Sequence, residues 1–465
     1  MLASGKHNGS FLRIIAREKG LYAYEKGEEK MSENPVAEPG EQVITRGQSL
    51  GITASSIIGA AAVFVVTIIV SRVLTEAAYS QFLLFWSLMF GVFGAILGIQ
   101  QEVTRATGAR AESSAVVATK LPQTVRVLPV AAFLGGCIAV LLVGTSFLWG
   151  EKVLGKDFFA SVLVIGVGAV LYACHVAVVG TAAGTKNWSV FAWLGGTESV
   201  LRLVLTGAVA LFAGTLWGFQ FAAIAPVTLW IFLLAFFPRY RPILGGARIH
   251  DSFSGASQKM AWAILTSTAY AIMVTGFPVL LKWTTGHIES AEEIALLAAT
   301  ITAISLTRAP IMIPLQMFQG VAISAFLKQQ HRPLAALMKP AGVLLGIGVI
   351  GAIAAYLVGP FLFSLLYPKQ GGILTGFELG ALTFASAFMA VVVLTGTATL
   401  ASNHHKLYFA GWGATAIVAI AMLFTPFSII DRSIVALLAG PLAGIIIHTA
   451  GLAIAPARPL SKESL

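Results

Sequence analysis

The sequence predicts an all-α polytopic membrane protein, about twelve transmembrane helices arranged as two six-helix lobes around a central cavity. Three observations predict it. The 465 residues are 57% hydrophobic and 11% charged, with a mean hydropathy of +0.85, outside the range of soluble domains. Apolar windows of about 20 residues recur along the whole chain. A polar connection, Pro238 to Ser257, divides these windows into six and six. Lipid offers no partner to unpaired backbone groups, so spanning segments are helices or closed barrels, and continuous apolar runs exclude the alternating pattern of a barrel.

Residues 1–48 hold many Glu and Lys and few large apolar side chains, as expected of a disordered cytoplasmic tail. They lack the apolar core of a cleavable signal, so the first span is expected to direct insertion. If Lys26-Gly27-Glu28 is encoded AAAGGAGAA, a ribosome-binding sequence precedes Met31 and Met31 is the native start; the nucleotide sequence decides this. Spans are expected at about 50–71, 81–99, 127–149, 159–181, 191–213 and 217–237, forming a first lobe over 49–237. A cytoplasmic linker over 238–258 follows, with PRYRP, Gly245-Gly246 and an Asp251-Ser252 pair suited to starting a helix. Spans at about 259–282, 293–316, 341–366, 374–400, 408–429 and 433–454 form the second lobe, 259–455, and 456–465 is a short cytoplasmic tail.

Charge sets the orientation. About 22 of the 30 Lys and Arg fall on the amino-terminal side of the membrane, among them Arg110, Lys120, Arg126, Arg239, Arg241, Arg248, Lys328 and Arg332. About six lie opposite: Arg72, Lys152, Lys156, Lys282, Lys369 and Arg432. Both termini of a multi-pass protein of the cell membrane are therefore expected in the cytoplasm. The net charge of +10 serves this orientation, and no nucleic-acid partner is expected. The halves also repeat weakly: Thr75 to Tyr79 leads into the second span of the first half as Ser290 to Ile294 does in the second half. An even number of spans per half relates such repeats by an axis along the membrane normal.

The stretch IIVSRVLTEAAYSQFLLFWSLMFGVFGAILGIQQEVTRATG, Ile68 to Gly108, resembles the opening of polysaccharide-repeat-unit flippases of the MOP (multidrug/oligosaccharidyl-lipid/polysaccharide) exporter superfamily. The matching elements are the span ending in Arg72 and Leu74, the small-acidic turn Glu76 to Tyr79, and a glycine-rich second span ending in basic residues. The resemblance covers 50–455 and implies a MOP/MATE-like fold. It implies export of a polyprenyl-pyrophosphate-linked oligosaccharide from the cytoplasmic to the outer leaflet by alternating access, for polysaccharide or cell-envelope synthesis. Polysaccharide polymerases or glycosyltransferases are then natural partners, and no cofactor is implied. The first span carries no acidic residue of the kind drug/cation antiporters use, and the chain has two spans fewer than lipid II flippases.

Charge at membrane depth marks the candidate site, because an ionised side chain there normally faces a bundle interior or a watery cavity. Glu198 and Arg202 stand four apart and share a helix face with Gly195 and Thr206, while Leu201, Leu203, Val204 and Leu205 cover the rest. The pair either faces a cavity or neutralises itself within the helix packing. Arg308 lies within LAATITAISLTRAPIMIPLQMF, where Pro310 and Pro314 should break the helix and free carbonyls. It either lines a cavity or extends toward the cytoplasmic interface. Guanidinium suits pyrophosphate, since its planar donors contact two oxygens and it stays charged in apolar surroundings. With Glu198, the two arginines would leave one positive charge if all three face one cavity. Gln100, Gln101 and Arg105 are expected to meet the headgroup at the cytoplasmic end of the second span, or to anchor that end only.

Other signals read more plainly. Cys137 and Cys174 lack metal or disulfide spacing and are expected as small core residues. Trp193, Trp217, Trp283 and Trp412 suit an interfacial belt, and His404-His405 a solvated turn. Gly94-x-x-x-Gly98 and Gly342-x-x-x-Gly346 allow close helix approach. A small-molecule exporter of the same superfamily is the alternative transporter. A membrane glycosyltransferase or polymerase would need acidic residues in a sizeable external loop, and Glu151, Asp157, Glu289, Glu292, Glu293 and Asp431 form no such cluster. The protein is not expected to be an enzyme.

Overall fold

The computed structural model describes residues 46–113, 123–286, 290–328, 333–402 and 404–454. The first lobe runs α1 (Arg46–Val73), α2 (Glu76–Ser113), α3 (Val127–Leu154), α4 (Phe158–Gly184), α5 (Trp188–Phe212), then α6 (Leu216–Ile224) and α7 (Leu229–Phe236) on either side of a tight turn holding Pro226. The second runs α8 (Phe253–Val274), α9 (Phe277–Thr285), α10 (Ala291–Lys328), α11 (Pro333–Leu366), α12 (Gly376–Ala401), α13 (His405–Leu423) and α14 (Ile429–Ile454). Among the described residues, ten helical segments are long and apolar enough to cross a membrane, and α8 with α9, bent by 64°, makes an eleventh. The apolar part of α1, Ile57–Val73, is shorter than these. The chain is a multi-pass, all-helical membrane protein. The expected tails lie outside the described residues, except that 46–48 already belong to α1.

The weak repeat in sequence has counterparts in the structure. α2 and α10 are each 38 residues long, and 61% of the most apolar stretch of each is buried. With α8–α9 counted as one span, the fourth span of each half, α4 and α12, is the most enclosed, whereas the third, α3 and α11, turns most of its surface outward. Helix starts repeat as well. The Thr75 hydroxyl accepts from the Ala78 amide at the start of α2, and the Ser290 hydroxyl accepts from the Glu293 amide at the start of α10, each satisfying one of the orphan donors of a helix amino terminus. Ser252 caps α8 in the same way, accepting from Gly255, as the Asp251-Ser252 pair suggests.

The linker is more ordered than its polarity implies. Arg248–His250 pairs antiparallel with Thr124–Arg126, before α3, in a two-stranded ribbon. Three residues are too few for a strand period, so no sequence pattern announces it. Gly94 and Gly98 seat α2 directly on α8 across the two lobes: a Cβ at Gly98 would come within 2.3 Å of the Ala263 backbone. The matching glycines on α11, Gly342 and Gly346, face open space. Trp412 departs from the interfacial expectation. It is buried in the second lobe against Tyr270. Cys174 is buried as expected, but Cys137 is exposed on the outward face of α3.

Candidate functional site

A cavity of about 270 Å³ lies between the lobes. α1 contributes Thr67, α2 contributes Tyr79, Trp86, Ser87 and Phe90, and α10 contributes Thr302, Ser305 and Arg308. Val274, Thr275 and Pro278 at the α8–α9 break and Tyr367 after α11 complete it. Among the described residues that line it, none is acidic.

Arg308 is the charged group of this wall. It is buried, and its Nη1 donates to the carbonyls of Met273 (3.0 Å) and Val274 (2.7 Å). The reason lies in the local sequence of the break: the donor that would continue the α8 ladder onto Val274 is residue 278, a proline, which has no amide hydrogen. A guanidinium supplies what the proline withholds, and positive charge at a helix carboxyl terminus is favourable. The guanidinium carbon also lies 5.9 Å from the Phe277 ring centre. Its Nη2 has no hydrogen-bond partner, and among the described residues no carboxylate pairs with it. The helix that carries it is not broken as Pro310 suggests. α10 is helical from Ala291 to Lys328, and the interruption is in the neighbouring α8–α9.

Arg202 also sits at an interrupted helix. Its Nε donates to the Ala223 carbonyl (2.9 Å) at the end of α6, just before Pro226. Its Nη2 bonds Glu198 at 2.5 Å, and the other Glu198 oxygen meets His175 Nε2 at 3.2 Å. His175 stacks on Tyr172, which stacks on Phe93. Arg202 and Glu198 are absent from the lining of the Arg308 cavity. The three charges expected to share one cavity are therefore not brought together there, because Arg202 is turned into its own lobe by Glu198 and Ala223. The ring of Phe90, 5.5 Å from the Arg202 guanidinium carbon, lies between it and the cavity.

Gln100, Gln101 and Arg105 also lie outside the cavity lining, with Gln100 about 15 Å further along α2 than Phe90 at 1.5 Å per residue. Gln101 and Arg105 are exposed, and Arg105 is paired with Glu102 on its own helix. The Gln100 backbone packs against Gly180 of α4. Sequence reasoning missed His175, although an ionisable residue inside a span is itself a signal. It also missed the hydroxyls that meet across the lobes, Thr67 with Tyr367 (3.0 Å) and Tyr79 with Thr302 (3.2 Å). Beyond them Lys369 donates to the carbonyls of Arg72 (3.1 Å) and Leu74 at the end of α1, while Arg72 donates to Leu365 (3.2 Å) near the end of α11. Each lobe thus caps a helix of the other. No side-chain pattern announces such a pair, because its acceptors are main-chain atoms.

This fold is similar to those of solved transporters of the MOP superfamily. The fold is similar to a multidrug resistance MATE family transporter solved inward-facing (TM-score 0.63, 12% identity, covering 87% of this chain and 98% of that one). It is also similar to an outward-facing MATE transporter of the superfamily (TM-score 0.60, 12% identity, 88% and 96%). A third is a MOP superfamily transporter from Pyrococcus furiosus Vc1 (DSM3638) whose binding pocket is described as having reverse polarity, suggesting a different function (TM-score 0.58, 14% identity, 87% and 95%). No family model matches the chain. The chain belongs to the same family as two mycobacterial proteins. Uncharacterized protein Rv1510 of Mycobacterium tuberculosis (strain ATCC 25618 / H37Rv) is 33% identical over 419 residues, 89% of this chain and 93% of its own length. Uncharacterized protein Mb3654 of Mycobacterium bovis (strain ATCC BAA-935 / AF2122/97) is 30% identical over 424 residues, 90% and 96%.

Proposed function

We propose that the protein is a membrane transporter that moves an anionic, polyprenyl-pyrophosphate-linked oligosaccharide from the cytoplasmic to the outer leaflet of the cell membrane by alternating access, for polysaccharide or cell-envelope synthesis. The observation that carries this reading is Arg308: a buried guanidinium that, among the described residues, has no carboxylate partner, leaves Nη2 without a hydrogen bond and stands in a wall without acidic residues. Such a cavity attracts an anion and repels a cation. The pyrophosphate and oligosaccharide come from the resemblance over Ile68 to Gly108. With both termini cytoplasmic and the cytoplasm negative, outward passage of the anion gains about 2.3 kcal/mol per charge per 100 mV. Arg308 is the headgroup contact, and Arg202, paired with Glu198, supports the Phe90 wall from behind.

The second reading is a small-molecule exporter, favoured by the multidrug transporters among the structural neighbours. One binding experiment separates the two. Protein in lipid nanodiscs is titrated with geranylgeranyl pyrophosphate, inorganic pyrophosphate and the lipophilic cation tetraphenylphosphonium, alongside Arg308→Gln, which keeps a donor for one of the α8 carbonyls but removes the charge. Both pyrophosphates should bind the wild type and lose at least tenfold in affinity in the variant. Saturable binding of the cation, unchanged or improved by Arg308→Gln, overturns the anion reading.

A further inference from the structure

A second, larger cavity of about 630 Å³ runs beside the first, between α2, α3, α8 and α9. Leu88, Leu142, Trp149, Ile264 and Leu280 are typical of its lining, and none of the described lining residues is charged. Its two hydroxyls are engaged elsewhere: Thr145 donates to Leu141 and accepts from the Trp149 indole, and Thr268 donates to Ile264. The groove therefore offers contact only to hydrocarbon.

Its position relative to Arg308 makes it more than a seam for bulk lipid. The two cavities are lined by alternating residues of the same two segments. On α2, Trp86, Ser87 and Phe90 face the Arg308 cavity, and Leu88, Gly91 and Val92 face the groove. At the α8–α9 break, Val274, Thr275 and Pro278 face the first, and Gly276, Val279 and Leu280 the second. Where these segments touch, Gly91 meets Gly276: a Cβ added to Gly91 would lie 3.5 Å from the Gly276 Cα. The partition at that point is two residues without side chains, beside the carbonyls that Arg308 holds.

We infer that this groove is a binding site for the hydrocarbon chain of the same lipid whose anionic headgroup rests against Arg308, with Gly91 and Gly276 forming the gap through which headgroup and chain stay joined. This rests on the reading that Arg308 takes an anionic headgroup. The headgroup supplies selectivity, because lipid tails are already as apolar as the groove and a chain alone gains little by leaving the bilayer. The break in α8–α9 then serves two purposes: it presents the carbonyls that fix Arg308, and it keeps the partition thin.

The test is photolabelling of the full-length protein in nanodiscs with a prenyl pyrophosphate carrying a benzophenone at the far end of its chain, and with the matching prenyl alcohol as the uncharged control. The pyrophosphate probe should label groove residues of α3 and α9, such as Leu142 and Leu280, at least tenfold over the outward residues Phe147 and Leu148 of α3. Inorganic pyrophosphate should compete this labelling away, and the alcohol should show no preference. Gly91→Leu, which places a side chain in the gap, should lower groove labelling at least tenfold while inorganic pyrophosphate still binds. Labelling spread evenly over outward faces, with inorganic pyrophosphate binding intact, overturns the groove and leaves the Arg308 reading standing. Loss of inorganic pyrophosphate binding itself overturns both.

Discussion

The two intramembrane arginines begin from the same problem and end in different chemistry. Each stands beside a helix interrupted near a proline, and each donates to a carbonyl at that interruption: Arg202 to Ala223 before Pro226, Arg308 to Met273 and Val274 before Pro278. Arg202 is then neutralised by Glu198, which is itself held by His175. Among the described residues, Arg308 has no carboxylate partner and keeps one free nitrogen in a cavity wall. The cap explains why an arginine stands at either place, while the missing counter-charge is what marks Arg308 as a candidate for binding. A charge at membrane depth is thus a functional sign only after its local partners have been counted.

The largest effect expected from this contrast is on the Arg202 side. Glu198→Ala strands a buried guanidinium and should cost about 3–5 kcal/mol, read as a steep loss of membrane abundance and of thermal stability in detergent. The double substitution Glu198→Gln with Arg202→Gln should recover most of that loss, since neutral amides keep the shape and can still donate to Ala223. A single variant as stable as the wild type would place Glu198 outside the fold's support and break the comparison.

A smaller loss is expected at Arg308. Arg308→Met removes charge-assisted bonds to two carbonyls and should destabilise by about 1.5–3 kcal/mol, whereas Arg308→Gln, able to donate to one of them, should sit between methionine and wild type in the same melt. Equal stability of all three would mean that the α8 carbonyls find other donors, and the cap would fail as the explanation of that residue.

The smallest effect sharpens the partition between the two sites. Phe90→Ala removes the ring between Arg202 and the cavity, losing a cation–π contact of about 0.5–2 kcal/mol. Because Glu198 already balances Arg202, pyrophosphate affinity should change by less than threefold. A gain of tenfold would reveal Arg202 as a second free charge and restore the one-cavity arrangement expected from the sequence.

What the sequence determined by itself is the class of fold and the cost of its charges. Continuous apolar runs leave helices as the solution in lipid, the polar connection at 238–257 divides them, and Glu198, Arg202 and Arg308 stand out wherever their side chains point. The Glu198–Arg202 pair was legible because four residues is one helical turn, a local relation. Gln100, Gln101 and Arg105 were legible only as polar groups at a helix end, and the fold leaves them away from the cavity. Tertiary structure alone decided the rest. His175 reaches Glu198 from another helix, Phe90 screens Arg202 from α2, and the carbonyls held by Arg308 lie 34 and 35 residues away in sequence. The prolines beside Arg308 drew attention to its own helix, yet the break lies in its neighbour at Pro278. Periodicity reports which residues share a face; what that face meets depends on the rotation and packing of other helices, and main-chain acceptors have no side-chain identity by which a sequence could announce them.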